Sequence, residues 1–391
     1  MKILVLCQYY YPEPFRITDI CEALVALGHD VTVLTGTPNY PMGKTYDGYQ
    51  HGAKSEEVIN GVKVLRCKII PRRSGPIFRL LNYYSFSYVS SKKINSLTED
   101  YDVVFVNQLS PVMMANAGLK YKKNTGKKMI LYCLDLWPES LVAGGIKRDS
   151  LIYKLFHIIS KKVYLNADKI LVTSKSFTSY FYEAFGISGT EYLPQYAEEL
   201  FSPDKCYKQP NGMLDVMFAG NLGSTQSIDT IIDAAKITVG ESIHWHIVGD
   251  GSEYEHIKKM AKDLPNVSIY GRQPLERMPE LYSKADAMLV TMKDDPVISL
   301  TLPGKVQTYM AAGKPIIGSI NGETSLVIKE SKCGLCGKAE DVSALVNNVR
   351  MLANSNDISD MASNSIKYYQ DNFSKQSFIL KLEKVLMQYS I

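Results

Sequence analysis

The strongest constraint is an alternation that the chain runs through twice. A short block of branched apolar residues gives way to a polar loop. Apolar residues at helical spacing follow, and then another short apolar block. Ile3, Leu4, Val5 and Leu6 form the first block, ended by the polar, aromatic and Pro-rich loop from Gln8 to Phe15. Ile17, Ile20, Cys21, Leu24 and Leu27 then recur at i, i+3 and i+4 until Gly28, and 31–34 is the next apolar block. Spacing of this kind predicts strand, helix, strand. A βαβ unit carries a parallel sheet with a right-handed crossover. Further strands are expected at 62–66, 103–106, 129–133 and 170–173. After a polar stretch holding Pro194, Pro203, Pro210 and Gly212, the pattern restarts, with strands at 215–219, 243–248, 267–270, 287–290 and 315–318.

The expected fold class is therefore α/β with two Rossmann-like domains. Their boundaries read as 1–195 for the first domain, 196–212 for the linker and 213–391 for the second. The 391 residues suit two domains at about 100–200 residues each. Parallel sheets joined by one linker would face a central cleft, and ligands of such sheets bind outside the carboxyl ends of the strands.

Composition removes other classes. At 46% hydrophobic and 21% charged, the chain is neither disordered nor fibrous. The first apolar block is too short for a secretory leader, and no run approaches ~18 apolar residues. The seven cysteines, an odd number, fit free thiols in a reducing compartment. A net charge of +4 without concentrated basic runs argues against a nucleic-acid partner. That charge divides as +6 over residues 1–200 and −2 over 201–391.

Candidate chemistry gathers at strand ends. Gly220-Asn221-Leu222-Gly223, continuing to Gln226, opens a helix after a strand, so its backbone N–H groups could face a phosphate or simply close a βα turn. It lacks the G-x-G-x-x-G spacing of a dinucleotide site. Gly249 and Gly251 flank Asp250 at a second strand end, where Asp250 either caps the next helix or takes a ligand hydrogen bond. Pro303 sits where a helix would begin and Gly313 where it would end. That places Gly304, Lys305 and the amides from 301 onward at a helix N-terminus, an anion site that fits a diphosphate, with Thr308 one turn further on. Asp135 closes a first-half strand, where it could act as a base, hold a sugar hydroxyl or cap a turn. Glu13 and Arg16 belong to a neighbouring strand end. His244 and His246 share one strand face without a third ligand, and Cys333 and Cys336 form a lone C-x-x-C, so no metal site is expected. Two segments, 72–86 and 147–162, mix Lys and Arg with apolar residues and suit either an anionic membrane surface or the core.

Taken in order, Gln8-Tyr9-Tyr10-Tyr11-Pro12-Glu13, Pro38-Asn39-Tyr40-Pro41, Asp135-Leu136-Trp137-Pro138-Glu139, Gly220-Asn221-Leu222-Gly223, and Pro303-Gly304-Lys305 through Gly313-Lys314-Pro315 carry a resemblance over nearly the whole length. The chain resembles the family 4 retaining glycosyltransferases of the GT-B type. Within them it is similar to the bacterial surface-polysaccharide branch that includes N-acetyl-L-fucosamine transferases.

The resemblance implies transfer of an N-acetylated sugar, with retention, from a UDP-sugar to a lipid-linked saccharide acceptor in capsule or O-antigen assembly. It also implies no required metal or other cofactor. Placement would be cytoplasmic, peripheral on the inner face of a bacterial membrane, and the last helix would cross back to the first domain. The implied donor residues are Gly220, Asn221, Gly223, Gln226, Gly249, Asp250, Arg272, Pro303, Gly304, Lys305 and Thr308. Asp135, Glu13 and Lys305 are the catalytic candidates. The chain departs from the family pattern at Leu300 and Thr308, where many members carry two glutamates, and at Asn221 and Gln226, where an arginine and a lysine are common. Asp294 and Asp295 are candidates for a replacement sugar contact. Two other readings remain open: a UDP-N-acetylglucosamine 2-epimerase-like enzyme, and a non-catalytic nucleotide-sugar-binding partner of an assembly complex.

Overall fold

The computed structural model describes residues 1–73 and 75–390. Contacts divide the chain into two units, Met1–Leu193 with Ile379–Ile391, and Pro194–Phe378. Residues 196–212, read from sequence as a linker, count with the second unit. The last helix, Lys375–Tyr389, begins in the second unit and ends in the first.

The first unit holds strands β1 (Lys2–Leu6), β2 (Asp30–Gly36), β3 (Glu56–Ile59), β4 (Val62–Cys67), β5 (Val103–Gln108), β6 (Lys128–Cys133), β7 (Lys169–Val172) and β8 (Glu191–Tyr192). They form one sheet in the order β3-β4-β2-β1-β5-β6-β7-β8. Every pairing is parallel except β3 with β4. The parallel strands are buried along nearly their whole length because helices cover both faces, so they read as continuous apolar blocks. β3 differs. Its residues are exposed or half-buried, and it joins β4 through Asn60 at φ 48° and Gly61 at φ 83°. A two-residue hairpin needs positive φ at both central positions, which Asn-Gly supplies. That hairpin is absent from the sequence reading, although Asn60-Gly61 signals it.

The second unit holds β9 (Leu214–Ala219), β10 (Ile243–Val248), β11 (Val267–Gly271), β12 (Ala287–Thr291), β13 (Ile316–Ser319) and β14 (Gly334–Gly337), in the order β11-β10-β9-β12-β13-β14, all parallel. Helices Ile228–Ile237 and Val342–Ala353 pack side by side on one face. There Ile231, Ile232, Leu345 and Val349 close over the wholly buried Trp245, whose indole N–H donates to Thr238 Oγ1 at 3.0 Å. Their burial ties the strands of this sheet to their covering helices.

The amino end of this sheet carries a buried ionic knot. Lys208 Nζ lies 2.7 Å from Asp215 Oδ2 and 2.5 Å from Asp286 Oδ2. His246 Nε2 sits 2.8 Å from Asp215 Oδ1, and His246 Nδ1 sits 2.9 Å from the Tyr270 hydroxyl. This arrangement uses His246 in packing, and among the described residues no group of three or more His, Cys, Asp and Glu is placed to hold a metal ion. Burial alone would raise the Asp215 pKa, but hydrogen bonds from His246, Lys208 and Asn211 outweigh it and hold the carboxyl well below the usual range. A depressed folded pKa stabilises the native state above the unfolded value of about 3.9, and that stability is lost as pH falls towards the folded value. Melting temperatures measured from about pH 6 down to about pH 3 should therefore fall more steeply for the wild type than for Asp215→Asn. Parallel curves would remove Asp215 from the acid response.

Candidate active site

The carboxyl end of β9 carries the best-defined cluster. Its pairing with β10 runs to Ala219 opposite Val248, whereas its pairing with β12 stops at Met217 opposite Met288. Ala219 therefore has backbone groups with no strand partner on the β12 side. The Tyr309 hydroxyl fills that gap, donating to Ala219 O at 2.9 Å and accepting from Ala219 N–H at 3.1 Å. Tyr309 lies in the helix Gly304–Ala311, so these bonds fix the helix against the strand end. Lys305 stands four residues earlier on the same helix face. Its ammonium donates to Gln226 Oε1 at 2.7 Å and lies 3.9 Å from the centre of the Phe218 ring. Among the described residues, no carboxylate makes a salt bridge with it.

The glycines explain the close packing here. Gly220 adopts φ 149°, and the Lys305 ammonium lies 2.9 Å from where a Cβ would stand. A Cβ on Gly249, at φ 143°, would come 1.8 Å from Gly220 O. The two Gly-rich strand ends are bonded to each other, Gly220 N–H to Val248 O at 3.0 Å and Leu222 N–H to Asp250 O at 3.0 Å. Much of the backbone that sequence reasoning offered to a phosphate is thus used between loops. The Thr301 N–H donates to Ile298 O at 3.0 Å. The helix N–H groups left without an intrahelical acceptor are those of its first turn, at Gly304 and Lys305, after Pro303.

Gly220, Gln226, Pro303, Gly304 and Lys305 are therefore brought together, with Asn221 and Gly223 in the same loop. The other expected donor residues stand differently. Thr308 donates its hydroxyl back to Gly304 O at 3.2 Å. Asp250 is exposed and accepts from Gly251 N–H at 2.8 Å, so the expectation that it caps the following helix fails, because the helix starts only at Tyr254. Arg272 is exposed just beyond β11, two strands away, and makes no hydrogen bond to Lys305 or Gln226. Asp295 caps the turn at Val297 and Ile298, at 2.8 and 3.0 Å, and Asp294 accepts from Asn321 at 2.8 Å. Of the two candidates for a replacement sugar contact, Asp295 is engaged in its own turn and Asp294 with Asn321 beyond β13.

The carboxyl edge of the first sheet forms a second cluster. Asp135 Oδ2 accepts from Ser110 N–H at 3.0 Å and from Ser110 Oγ at 2.9 Å, while Trp137 Nε1 donates to the same Oγ at 2.8 Å. Asp135 Oδ1 makes no hydrogen bond among the described residues. Burial raises the Asp135 pKa, and the Ser110 bonds and Arg72 work against that rise. Glu13 is almost wholly buried, and its oxygens accept from three backbone N–H groups: Asn39 at 2.8 Å, Tyr40 at 2.7 Å and Tyr10 at 3.3 Å. Burial outweighs those bonds and lifts its pKa to about 7. Bonded in this way, Glu13 braces the loops after β1 and β2, a structural part that the sequence reading did not assign to it. Arg16 stands immediately before the helix Ile17–Ala26 and makes no side-chain capping bond to it. The reading from sequence missed Ser110 and Tyr309. Tyr309 lies one turn from Lys305 in a segment already singled out, whereas Ser110 follows β5, the neighbour of the Asp135 strand, whose end the sequence reading passed over.

Comparison with known proteins accounts for both halves. Residues 16–192 match the model described as Glycosyltransferase Family 4, and residues 214–355 match the model described as Glycosyl transferases group 1. The chain carries both domains of a glycosyltransferase. It is 25% identical over 379 residues to the putative colanic acid biosynthesis glycosyl transferase WcaI of Escherichia coli K12, a match spanning 90% of this chain and 91% of that protein. Among solved structures, this glycosyltransferase resembles sucrose-phosphate synthase of Thermosynechococcus elongatus with a TM-score of 0.79 at 18% identity, covering 99% and 98% of the two chains. It resembles Anabaena HepE in complex with UDP-glucose with a TM-score of 0.69 at 15% identity, covering 99% and 100%. The fold is GT-B, with two parallel-sheet Rossmann-like units.

The Lys305 pKa carries a measurable consequence for the glycosyltransferase. Loss of water around the ammonium lowers it to about 7, although the side chain as a whole is only half-buried. An unfolded lysine titrates near 10.4. Between those values the unfolded chain holds the proton and the native chain does not, so stability rises with pH across that window and the cost is full below about pH 7. Lys305→Met should melt higher than the wild type at about pH 6, with the difference shrinking towards about pH 10. A variant that melts no higher at the lower pH would mean that water reaches the ammonium.

Proposed function

We propose that the chain transfers an N-acetylated sugar, with retention, from a UDP-sugar to a lipid-linked saccharide in bacterial surface-polysaccharide assembly. One observation carries the donor half of this reading. Lys305 is a half-buried ammonium at a strand's carboxyl end, beside the open first turn of a helix, with an amide and a ring as neighbours instead of a carboxylate. Desolvating a cation without pairing it is costly unless an anion completes the site. A diphosphate would receive the ammonium and the Gly304 and Lys305 amides together. As the glycosidic bond breaks, charge builds on that leaving diphosphate while the sugar becomes oxocarbenium-like, so fixed donors there lower the barrier. HepE, whose fold this chain shares, was solved with UDP-glucose, which supports a UDP-linked donor. WcaI is named for colanic acid synthesis, which supports a surface polysaccharide as the product. The N-acetylated sugar follows from the likeness to N-acetyl-L-fucosamine transferases. In the first unit Asp135 would bind an acceptor hydroxyl through Oδ1, with Oδ2 held by Ser110.

A melting screen with UDP-, GDP- and dTDP-sugars tests the donor, because a ligand that binds only the native state raises the midpoint. UDP-sugars should raise it, and Lys305→Gln should cancel the rise and cut transfer about a hundredfold or more. A product linkage matching the donor's anomeric configuration by NMR is expected. A new UDP-sugar epimer formed without acceptor would overturn the reading.

The lipid-linked acceptor places the enzyme at a membrane surface. Among the described residues no helix is long and apolar enough to cross a membrane. The helix Leu151–Asn166 buries Phe156, Val163 and Tyr164, yet leaves Leu151 83% and Ile158 66% exposed, with Leu155 also exposed. Lys154, Lys161 and Lys162 lie among them, a combination suited to anionic lipid. Sedimentation with phosphatidylglycerol vesicles, but not with phosphatidylcholine vesicles, is expected, and Leu155→Asp with Ile158→Asp should abolish it. Equal sedimentation of wild type and variant would remove this face from docking.

A further inference from the structure

Left-handed backbone is uncommon outside glycine, because a Cβ crowds the neighbouring carbonyl. Among the described residues six non-glycine positions adopt it, and two of these bond to each other. Ser227 stands at φ 47° and Glu340 at φ 61°, and the Ser227 hydroxyl donates to Glu340 Oε1 at 3.4 Å. They belong to the loops after β9 and β14.

Neither residue fits its place for an ordinary reason. A serine ahead of a helix usually sits in extended backbone and caps the first turn with its hydroxyl. Ser227 precedes the helix Ile228–Ile237, yet it is left-handed and makes no capping bond. Glu340 is exposed, so packing does not require a glutamate there. Its carboxylate is held all the same, with Oε2 accepting from Asp294 N–H at 2.9 Å in the loop after β12. Glycine would meet both φ values without strain, but it cannot supply the bonds between the loops. Strained backbone persists where its surroundings fix it, and it gathers at sites that must be pre-organised.

The bonds converge on Lys305. The turn Ser224–Gln226 leads directly into Ser227. Its other side is held from β12 onward: Thr291 Oγ1 donates to Gln226 O at 2.6 Å and Lys293 N–H to Thr225 O at 3.0 Å. Asn321 brings in the loop after β13, donating to Asp294 Oδ1 at 2.8 Å and accepting from Ala339 N–H at 3.2 Å. With its backbone held in this way, Gln226 turns its side-chain oxygen to the Lys305 ammonium at 2.7 Å. A left-handed residue bends the chain sharply, so a change of φ at Ser227 would carry Gln226 off the ammonium.

We infer that Glu340 is a positioning residue for the donor diphosphate: it locks the left-handed turn at Ser227 and so keeps Gln226 on the Lys305 ammonium. The inference rests on the transferase reading and extends its donor site to the loop after β14. Glu340 acts through Ser227 and Gln226 and does not itself touch the diphosphate.

Calorimetry with UDP on the full chain tests it. Glycine suits φ 61°, so Glu340→Gly should fold. It should nevertheless weaken UDP about fivefold or more. Glu340→Gln keeps both bonds, its carbonyl accepting from Asp294 N–H and its amide donating to the Ser227 hydroxyl, so it should bind UDP within about twofold of the wild type. In a Gln226→Ala background, Glu340→Gly should change UDP affinity by less than about twofold, because the residue it acts through is gone. An undiminished effect in that background would overturn the positioning role. So would Glu340→Gln binding as weakly as Glu340→Gly, since charge rather than the two bonds would then matter. Wild-type affinity in Glu340→Gly, with the wild type itself binding UDP, would overturn this inference and leave the transferase reading standing. Wild-type protein that fails to bind UDP would overturn the UDP donor reading, and this inference with it.

Discussion

The donor half of the molecule depends on one hydroxyl. Tyr309 bonds both the N–H and the C=O of Ala219 where β9 runs past the end of its pairing with β12. Two buried backbone groups would otherwise lack partners, each costing about 1–3 kcal/mol. The same two bonds set the height of the helix Gly304–Ala311 along the strand. Lys305 therefore has little freedom in where it stands: Phe218 lies beneath it, Gln226 beside it and Gly220 where any side chain would collide. The missing side chain at Gly220 and the position of Lys305 are one packing solution. Glycine at 249 is required by the next contact along, against Gly220 O. A phosphate loop and a tight interloop contact thus produce the same glycine pattern, and the hydrogen bonds separate them.

The two units hold their cations by the same means. Lys305 rests on Phe218, and Arg72 sits by Tyr40 and Tyr83. Other buried cations are held differently: Lys208 is knotted with Asp215 and Asp286, and Lys314 donates to the Ala285 carbonyl. The difference is physical. A carboxylate neutralises a cation and leaves little attraction for another anion. An aromatic face offsets part of the desolvation cost while the charge stays available. The two modes are not exclusive, since Arg66 lies over Tyr49 and also pairs with Glu57.

Much of the fold was legible because parallel strands covered on both faces must be apolar along their length. The blocks at 3–6, 103–106 and 243–248 became strands within a residue or two of their expected ends. What escaped lacked that burial. β3 is half-exposed and β8 has two residues, so neither leaves an apolar block. At the candidate site the sequence pointed to the right segments but mistook some roles. Glu13 lies at a strand end, where a catalytic acid belongs, yet three amides occupy it. Asp295 lies just ahead of the helix and caps a preceding turn. A carboxylate's role depends on which N–H groups turn towards it, and nothing in residue type or spacing reports that.

The family departures at Asn221 and Gln226 take on a structural meaning at this point. Removing two cations from the Gly-rich loop would leave a donor diphosphate without charge compensation, unless a cation reached it from elsewhere. Lys305 does reach that loop, and it does so through Gln226, the residue that stands where a lysine is common. The amide cannot neutralise an anion, but it accepts from the ammonium and so orients it over Gly220. A cation on the helix is thereby held beside the Gly-rich loop that itself lacks one. Thr308 fits the same account, whereas Leu300 lies in the turn before the helix. Beside a glutamate at 308 the ammonium would acquire a partner of its own, three positions along the helix, and would be less available to a diphosphate. Thr308 instead returns its hydroxyl to Gly304 O, leaving the ammonium unpaired. The absence of acids at 300 and 308 and the unpaired state of Lys305 thus belong to one arrangement at the start of this helix.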